Sequence, residues 1–178
     1  MSGRPDKAGA ILAFAHVPKT AGQLVRLLLR EHFGLRHMDV EHRKSFVYRL
    51  RDLRADLHVC PFPRSIAGQA LKPYVDFAEL GERMVWYTVL RDPVRRYVSQ
   101  YMYDTEVMGW RYDVPSWMEQ ADRGNMQLWT LAGCLDVGRG KELLDRMRCV
   151  GLTEHLNESL LLIRRRLELK GFEVTYAR

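Results

Sequence analysis

The 178-residue sequence predicts an α/β fold in which a mainly parallel sheet is flanked by helices. Short apolar runs at 10–16 and 84–90 read as strands buried on both faces, and each is followed by a loop and an amphipathic helical pattern. Strand-like and helix-like segments alternate along the chain, as crossover connections in a parallel sheet require. The 47% hydrophobic content suffices for a core and excludes wholesale disorder.

Residues 1–9 are polar, lack an apolar signal-type segment, and are expected to form a flexible lead-in to a single domain over 10–178. The run Ala-Ile-Leu-Ala-Phe-Ala-His at 10–16 reads as a central strand. From Gly22, Leu24, Leu27 and Leu28 lie opposite Arg26 and Arg30, giving a helix to about Phe33 that Gly34 stops. Residues 41–54 read as a basic amphipathic helix, and Asp56 to Cys60 as a short strand ended by Pro61 and Pro63. Residues 64–80 show no clear pattern. Residues 84–90, Met-Val-Trp-Tyr-Thr-Val-Leu, are β-branched and aromatic and form the clearest strand. Asp92 and Pro93 then supply the N-cap and first position of a helix to about Tyr103. An irregular aromatic stretch covers 104–115. Short helices follow near 115–121 and 125–132, then a helix at 139–147 and a strand at 149–152. A periodic helix spans 154–169 through Leu156, Leu160, Ile163 and Leu167, and Phe172 to Tyr176 reads as a last strand.

Charge narrows the function classes. Residues 1–70 hold 12 Lys or Arg against 6 Asp or Glu, so they carry the whole net charge of +6, whereas the remainder is balanced at 16 against 16. The first part of the chain is therefore expected to meet an anion. No apolar stretch approaches the roughly 20 residues that span a membrane. Cys60, Cys134 and Cys149 form neither a CxxC pair nor a metal-ligand spacing, so a disulfide framework and a zinc site are not expected, and a reducing, cytoplasmic setting is.

His16-Val17-Pro18-Lys19-Thr20-Ala21-Gly22 lies between the first strand and the first helix. A helix N-terminus offers free backbone N–H groups and partial positive charge, and small residues let the loop curl around an anion. Lys19 adds a point charge and Thr20 a hydroxyl. The loop is not of Walker type, because Pro18 precedes the lysine and the glycine follows it. A second strand-to-helix junction reads Arg91-Asp92-Pro93-Val94-Arg95-Arg96-Tyr97-Val98-Ser99-Gln100-Tyr101. Arg91 sits at a strand end, where a guanidinium can take a phosphate in two-pronged fashion. Ser99 follows Asp92 by about two helical turns and returns to its face. A pairing of Arg91 with Asp92 or Asp104 is the alternative.

With these motifs the chain resembles the PAPS-dependent sulfotransferases, closest to the carbohydrate 2-O-sulfotransferase and chondroitin-type branch and its bacterial relatives. The family's H-x-P-K-T-(A/G)-G-T-S loop matches His16 to Gly22, and its R-D-P-x-x-R-x-x-S-x-Y motif matches Arg91, Asp92, Pro93, Arg96, Ser99 and Tyr101. N-x-Q-x-x-x-L-(A/S)-G matches Asn125, Gln127, Leu131, Ala132 and Gly133, and V-G-L-T-E matches Val150 to Glu154. The elements occur in the family's order and span nearly the whole chain.

The resemblance implies a single-domain, P-loop-like three-layer sandwich. It also implies use of 3′-phosphoadenosine 5′-phosphosulfate (PAPS), whose sulfuryl group passes to an acceptor hydroxyl or amine and leaves PAP. By position, Pro18, Lys19, Thr20, Ala21, Gly22 and Gln23 surround the 5′-phosphosulfate, with Lys19 stabilising the leaving oxygen. Arg91 and Ser99 hold the 3′-phosphate. No metal is required by this scheme.

The chain departs from the pattern at Gln23-Leu24, where the family has hydroxyl residues, and at Pro61, which occupies the place of a catalytic His in a Gly-His-Phe-Pro-like segment. His58, three residues earlier, is the candidate base, with Asp104 and Glu106 as acidic alternatives; His16 reads as structural or cofactor-facing and the remaining histidines as structural or solvated. A carbohydrate or small-molecule acceptor is expected, the basic 41–54 stripe suiting an anionic one, and Trp110, Tyr112 and Trp117 are candidates to line its pocket. A catalytically impaired PAP- or PAPS-binding protein of the same fold is the alternative. Nucleic acid is disfavoured, since no reading motif is present.

Overall fold

The computed structural model describes residues 9–40, 46–119 and 124–174. Five strands, β1 (Ile11–Ala15), β2 (His37–Asp39), β3 (Ser65–Gly68), β4 (Met84–Leu90) and β5 (Cys149–Leu152), form one sheet in the order β2-β3-β1-β4-β5. Every pairing is parallel. The helices are α1 (Gly22–Phe33), α2 (Leu50–Leu57), α3 (Pro93–Met102), α4 (Val114–Met118), α5 (Met126–Ala132), α6 (Val137–Asp145) and α7 (Leu156–Arg166). Among the described residues no helix is long and apolar enough to cross a membrane.

β1 is apolar at every position because it is covered on both faces. Leu12 and Phe14 join Tyr87 and Val89 of β4 beneath Val25, Leu28 and Leu29 of α1 and Leu160 and Ile163 of α7. Ile11 and Ala13 point the other way, toward Ile66 of β3 and Leu53 of α2. Val17, Leu131 of α5 and Met147 form a third cluster. Alternation along each strand thus builds two apolar layers, giving helix, sheet and helix in succession.

The order of strands decides where a ligand can sit. From β1 the chain crosses to β2, returns to β3 beside β1, and only then passes to β4 on β1's other side. The connections leaving β1 and β4 run in opposite directions, which makes their carboxyl ends a topological switch point. In open α/β sheets ligands bind outside the carboxyl ends of the strands at such a point.

Two strands differ from the sequence reading. The strand expected at 56–60 is instead the end of α2, with His58 as its C-cap, and the strand that enters the sheet is β3 at Ser65–Gly68. β2 arises at His37–Asp39, where His37 reads from sequence as a solvated residue beside a helix. Its imidazole Nδ1 lies 3.0 Å from Ser65 Oγ on β3, its Nε2 lies 3.4 Å from Asp39 Oδ1, and burial lowers its pKa. Asp39 also accepts from Arg26 Nε of α1 at 2.8 Å and from Arg30 Nε. Burial pushes the Asp39 carboxyl up, yet the hydrogen bonds from Arg30 and Arg26 outweigh it and hold the pKa below its ordinary value. This ion cluster ties α1 to the sheet edge.

The basic helix expected at 41–54 begins only at Leu50, and residues 41–45 lie outside the described residues. Residues 172–174 carry no strand, and 175–176, with the lead-in at 1–8 and residues 120–121, also lie outside.

Gly68 ends β3 at a close approach. A Cβ there would stand 1.9 Å from the backbone carbonyl oxygen of Val40. Because a backbone atom cannot rotate away, Gly68→Ala is expected to destabilise the fold by roughly 3 kcal/mol, the upper range of overpacking costs, read as a lowered midpoint in denaturant unfolding.

Candidate functional site

The loop after β1 has an unusual backbone. Lys19 (φ 67°) and Ala21 (φ 61°) both adopt left-handed conformations without being glycine. Each such residue costs of order 1 kcal/mol, and strain of this kind gathers at ligand sites. Left-handed turns aim successive N–H groups into one concavity, the form that cradles anions. Thr20 is fully buried and donates from Oγ1 to the Val17 carbonyl at 2.9 Å, which pins the turn. α1 then begins with no side-chain cap and no acidic residue in its first turn, so its positive end is uncompensated.

Gly22 and His16 fit together inside this turn. A Cβ on Gly22 would lie 1.9 Å from His16 Cδ2, so only glycine leaves room for the imidazole. His16 is buried, and its Nδ1 has no hydrogen-bond partner among the described residues. Burial, with the charges of Arg26 and Lys72, lowers its pKa to about 4 and keeps it neutral at pH 7. It acts as a packed spacer under the helix start.

Arg91, at the end of β4, reaches this loop. The register Ala15↔Thr88 brings the end of β4 level with the loop, and Arg91 Nη1 donates to the Lys19 carbonyl at 3.3 Å. The Arg91 backbone is gripped twice by Gln127 of α5: Arg91 N–H donates to Oε1 at 2.9 Å, and Nε2 donates to the Arg91 carbonyl at 2.8 Å. On either side, Thr153 Oγ1 donates to the Leu90 carbonyl at 2.9 Å and Asp92 N–H donates to Glu154 at 3.0 Å. Asp92 caps α3 by accepting from Arg95 N–H at 2.9 Å. All four sequence elements therefore meet around Leu90–Asp92 and Lys19.

Ser99 is half-buried on α3, one turn before Tyr103, whose ring carries the Lys19 ammonium at 4.1 Å. Residues four apart share a helix face, so Ser99 lies on the face that meets the loop. Gln23 is exposed beside the helix start, whereas Leu24 packs into the core and so turns away from the concavity. Pro18 is half-buried in the loop.

His58 is not brought to this site. It is exposed, and the segment after it packs at the opposite edge: Arg64 N–H donates to the Arg36 carbonyl at 2.8 Å, just before β2 begins. The length of β3, roughly 13 Å for four residues, separates that edge from the Lys19 loop. Asp104 is buried and accepts from Trp117 Nε1 at 3.0 Å and from Gln100 at 2.9 Å, so its carboxylate is engaged in packing α3 against α4. Trp117 is itself core, edge-on to Tyr97 and Tyr101, while Trp110 and Tyr112 remain part-exposed.

Two residues of the site carried no motif signal. Burial lowers the pKa of Lys72, in the loop after β3, to about 8, and its charge reaches His16. The same loop brings the Tyr74 ring against Gly133, where an added Cβ would lie 3.0 Å away, so it crosses the sheet's carboxyl edge to the end of α5. Tyr103 is the other. Burial and the Arg91 charge lower the Lys19 pKa, while the Asp104 charge raises it. Among the described residues no group of three or more His, Cys, Asp or Glu side chains is placed to hold a metal ion.

No family model matches the chain, and no curated protein matches it either.

The geometry yields two expectations. Gln127→Leu strips both partners from the Arg91 backbone and should cost about 2 kcal/mol of stability together with anion affinity, measured by thermal melts with and without sulfate. Lys72 is charged below its pKa of about 8 and neutral above it, so attraction for an anion falls as pH rises through that value. Sulfate keeps its charge across this range. Its affinity should therefore weaken from about pH 7 to about pH 9, and Lys72→Arg should remove the part of that loss due to Lys72, leaving the part due to Lys19, whose pKa is also lowered.

Proposed function

We propose that this chain is a PAPS-dependent sulfotransferase, transferring a sulfuryl group from 3′-phosphoadenosine 5′-phosphosulfate to an acceptor hydroxyl or amine. The observation that carries the reading is the convergence of the four motif elements at the switch point, with Arg91 bonded to the Lys19 carbonyl. A donor with phosphates at two ends calls for two cationic strand-end elements side by side, and β1 and β4 supply them.

The residues present fit such a donor. The left-handed turn and uncapped start of α1 offer backbone N–H groups to the 5′ end, which offsets the absence of hydroxyls at Gln23-Leu24. Arg91 and Ser99 are the groups for the 3′-phosphate. Lys19 acts by charge: its ammonium stabilises negative charge growing on the oxygen that leaves as the S–O bond breaks, which lowers the barrier without any proton transfer by the lysine. The part-exposed rings of Trp110 and Tyr112, 6.2 Å apart and edge-to-face beyond Tyr103, offer a surface for a sugar or aromatic acceptor.

The position of His58 favours a second reading, a protein of this fold that binds PAP or PAPS without transfer. The base that relatives place near the donor has no counterpart there in His58.

Calorimetric titration with PAP and PAPS, followed by turnover assays on a panel of hydroxyl and amine acceptors, separates the two. Transfer supports the enzyme; binding with neither transfer nor slow donor hydrolysis supports the second reading; no binding of PAP defeats both. Lys19→Ala should abolish transfer while reducing PAP affinity far less. Arg91→Ala should weaken PAP binding by about 2–5 kcal/mol, the loss when a charge pair loses one partner, and unchanged affinity would remove the 3′-phosphate role.

A further inference from the structure

The Lys19 side chain is held rather than free. Its Nζ lies 4.1 Å from the centre of the Tyr103 ring. Tyr103 stands where α3 passes into a single π-turn, Tyr103–Val107, and it projects from the same face as Ser99. From the neighbouring strand end, Arg91 fixes the backbone of the same residue by donating to the Lys19 carbonyl. Lys19 is thus secured twice, through its backbone by a guanidinium and through its ammonium by an aromatic face.

We propose that Tyr103 is the positioning residue of Lys19: its ring face keeps the ammonium at the mouth of the phosphate loop, beside the α3 face that carries Ser99, so that an arriving oxyanion meets an ordered cation. The role of the ring in transfer rests on the sulfotransferase reading; the contact itself does not.

The chemistry of both groups favours this arrangement. A lysine ammonium has three N–H donors, and the ring takes one side of it, leaving donors for an anion. A lysine free in solvent loses rotamer freedom when it binds, and prior ordering by the ring reduces that loss at the moment of binding. The Asp104 charge favours the charged form against burial and the Arg91 charge, and a ring face adds to it in the same direction. The neighbouring tyrosine cannot do the same work. Tyr101, the tyrosine of the matched motif, packs edge-on against buried Trp117 with ring centres 5.4 Å apart. Tyr103 is 38% exposed, so replacing it removes little core packing.

The test compares Tyr103→Phe, which keeps the ring, with Tyr103→Leu, which removes it. In wild-type protein the NMR signal of the Lys19 methylene beside the ammonium should be shifted upfield by the ring current. The shift should persist in Tyr103→Phe and vanish in Tyr103→Leu, where titration of the same signal should give a lower Lys19 pKa. PAP affinity should stay close to wild type in Tyr103→Phe and fall roughly 3- to 10-fold in Tyr103→Leu. An ordinary Lys19 signal in wild type, or a shift that survives Tyr103→Leu, overturns the proposal. An equal loss of PAP affinity in both variants overturns it too, by assigning the effect to the hydroxyl. Wild-type protein that shows the ring-dependent shift but binds no PAP overturns the sulfotransferase reading and still supports the Tyr103–Lys19 contact.

Discussion

The parallel ladder between β1 and β4 governs the rest of the molecule. It sets Ala15 opposite Thr88, and the buried Thr88 hydroxyl reinforces it by donating to the Ala15 carbonyl at 2.7 Å. Because the register is shared, the chain leaves both strands at the same height. The Lys19 loop and Arg91, 72 positions apart in sequence, therefore meet. Slipping the register by one residue would also turn Phe14 and Tyr87 out of the cluster they share under α1 and α7. Core packing and site geometry are thus enforced by the same pairing.

A site that holds cations together and keeps two residues in left-handed conformations needs support from its surroundings. Part of it is local: Thr20 pins the turn and Gly22 yields its Cβ space to His16. The rest comes from two distant segments that close around Leu90–Asp92, one through Gln127 and the other through Thr153 and Glu154. These bonds use backbone groups of the β4–α3 junction, so they fix where Arg91 emerges while leaving its guanidinium directed at the loop. Tyr103 supplies the corresponding restraint on the Lys19 side chain.

The parts legible in the sequence were those whose physics is local. β1 and β4 announce themselves because a strand covered on both faces must be apolar throughout, and α1 and α3 because Gly34, Asp92 and Pro93 mark their ends. β2 and β3 did not: β2 has only three residues, and β3 carries a single large apolar residue, Ile66, where β5, of the same length, is marked by Val150 and Leu152. β3 is also composed of Ser65, Ile66, Ala67 and Gly68, and its glycine is explained only by the Val40 carbonyl across from it. Asp56 to Cys60 imitated a strand because the helical hydrogen bonding that continues to Cys60 leaves no mark on so short a stretch. The His16–Gly22 loop and Arg91 were readable as motifs. Lys72 and Tyr103 were not, because burial of a lysine and the contact of a ring with a residue 84 positions earlier are tertiary facts.

In the proposed function, the ends of β1 and β4 together bind one ligand with two anionic ends. A crystal structure of the chain with PAP addresses it most directly. The expected result is the 5′-phosphate within the Val17–Gly22 turn, in reach of Lys19, and the 3′-phosphate at Arg91 with Ser99 beside it. Density for PAP at any other surface, or phosphates that contact neither Lys19 nor Arg91, would contradict it.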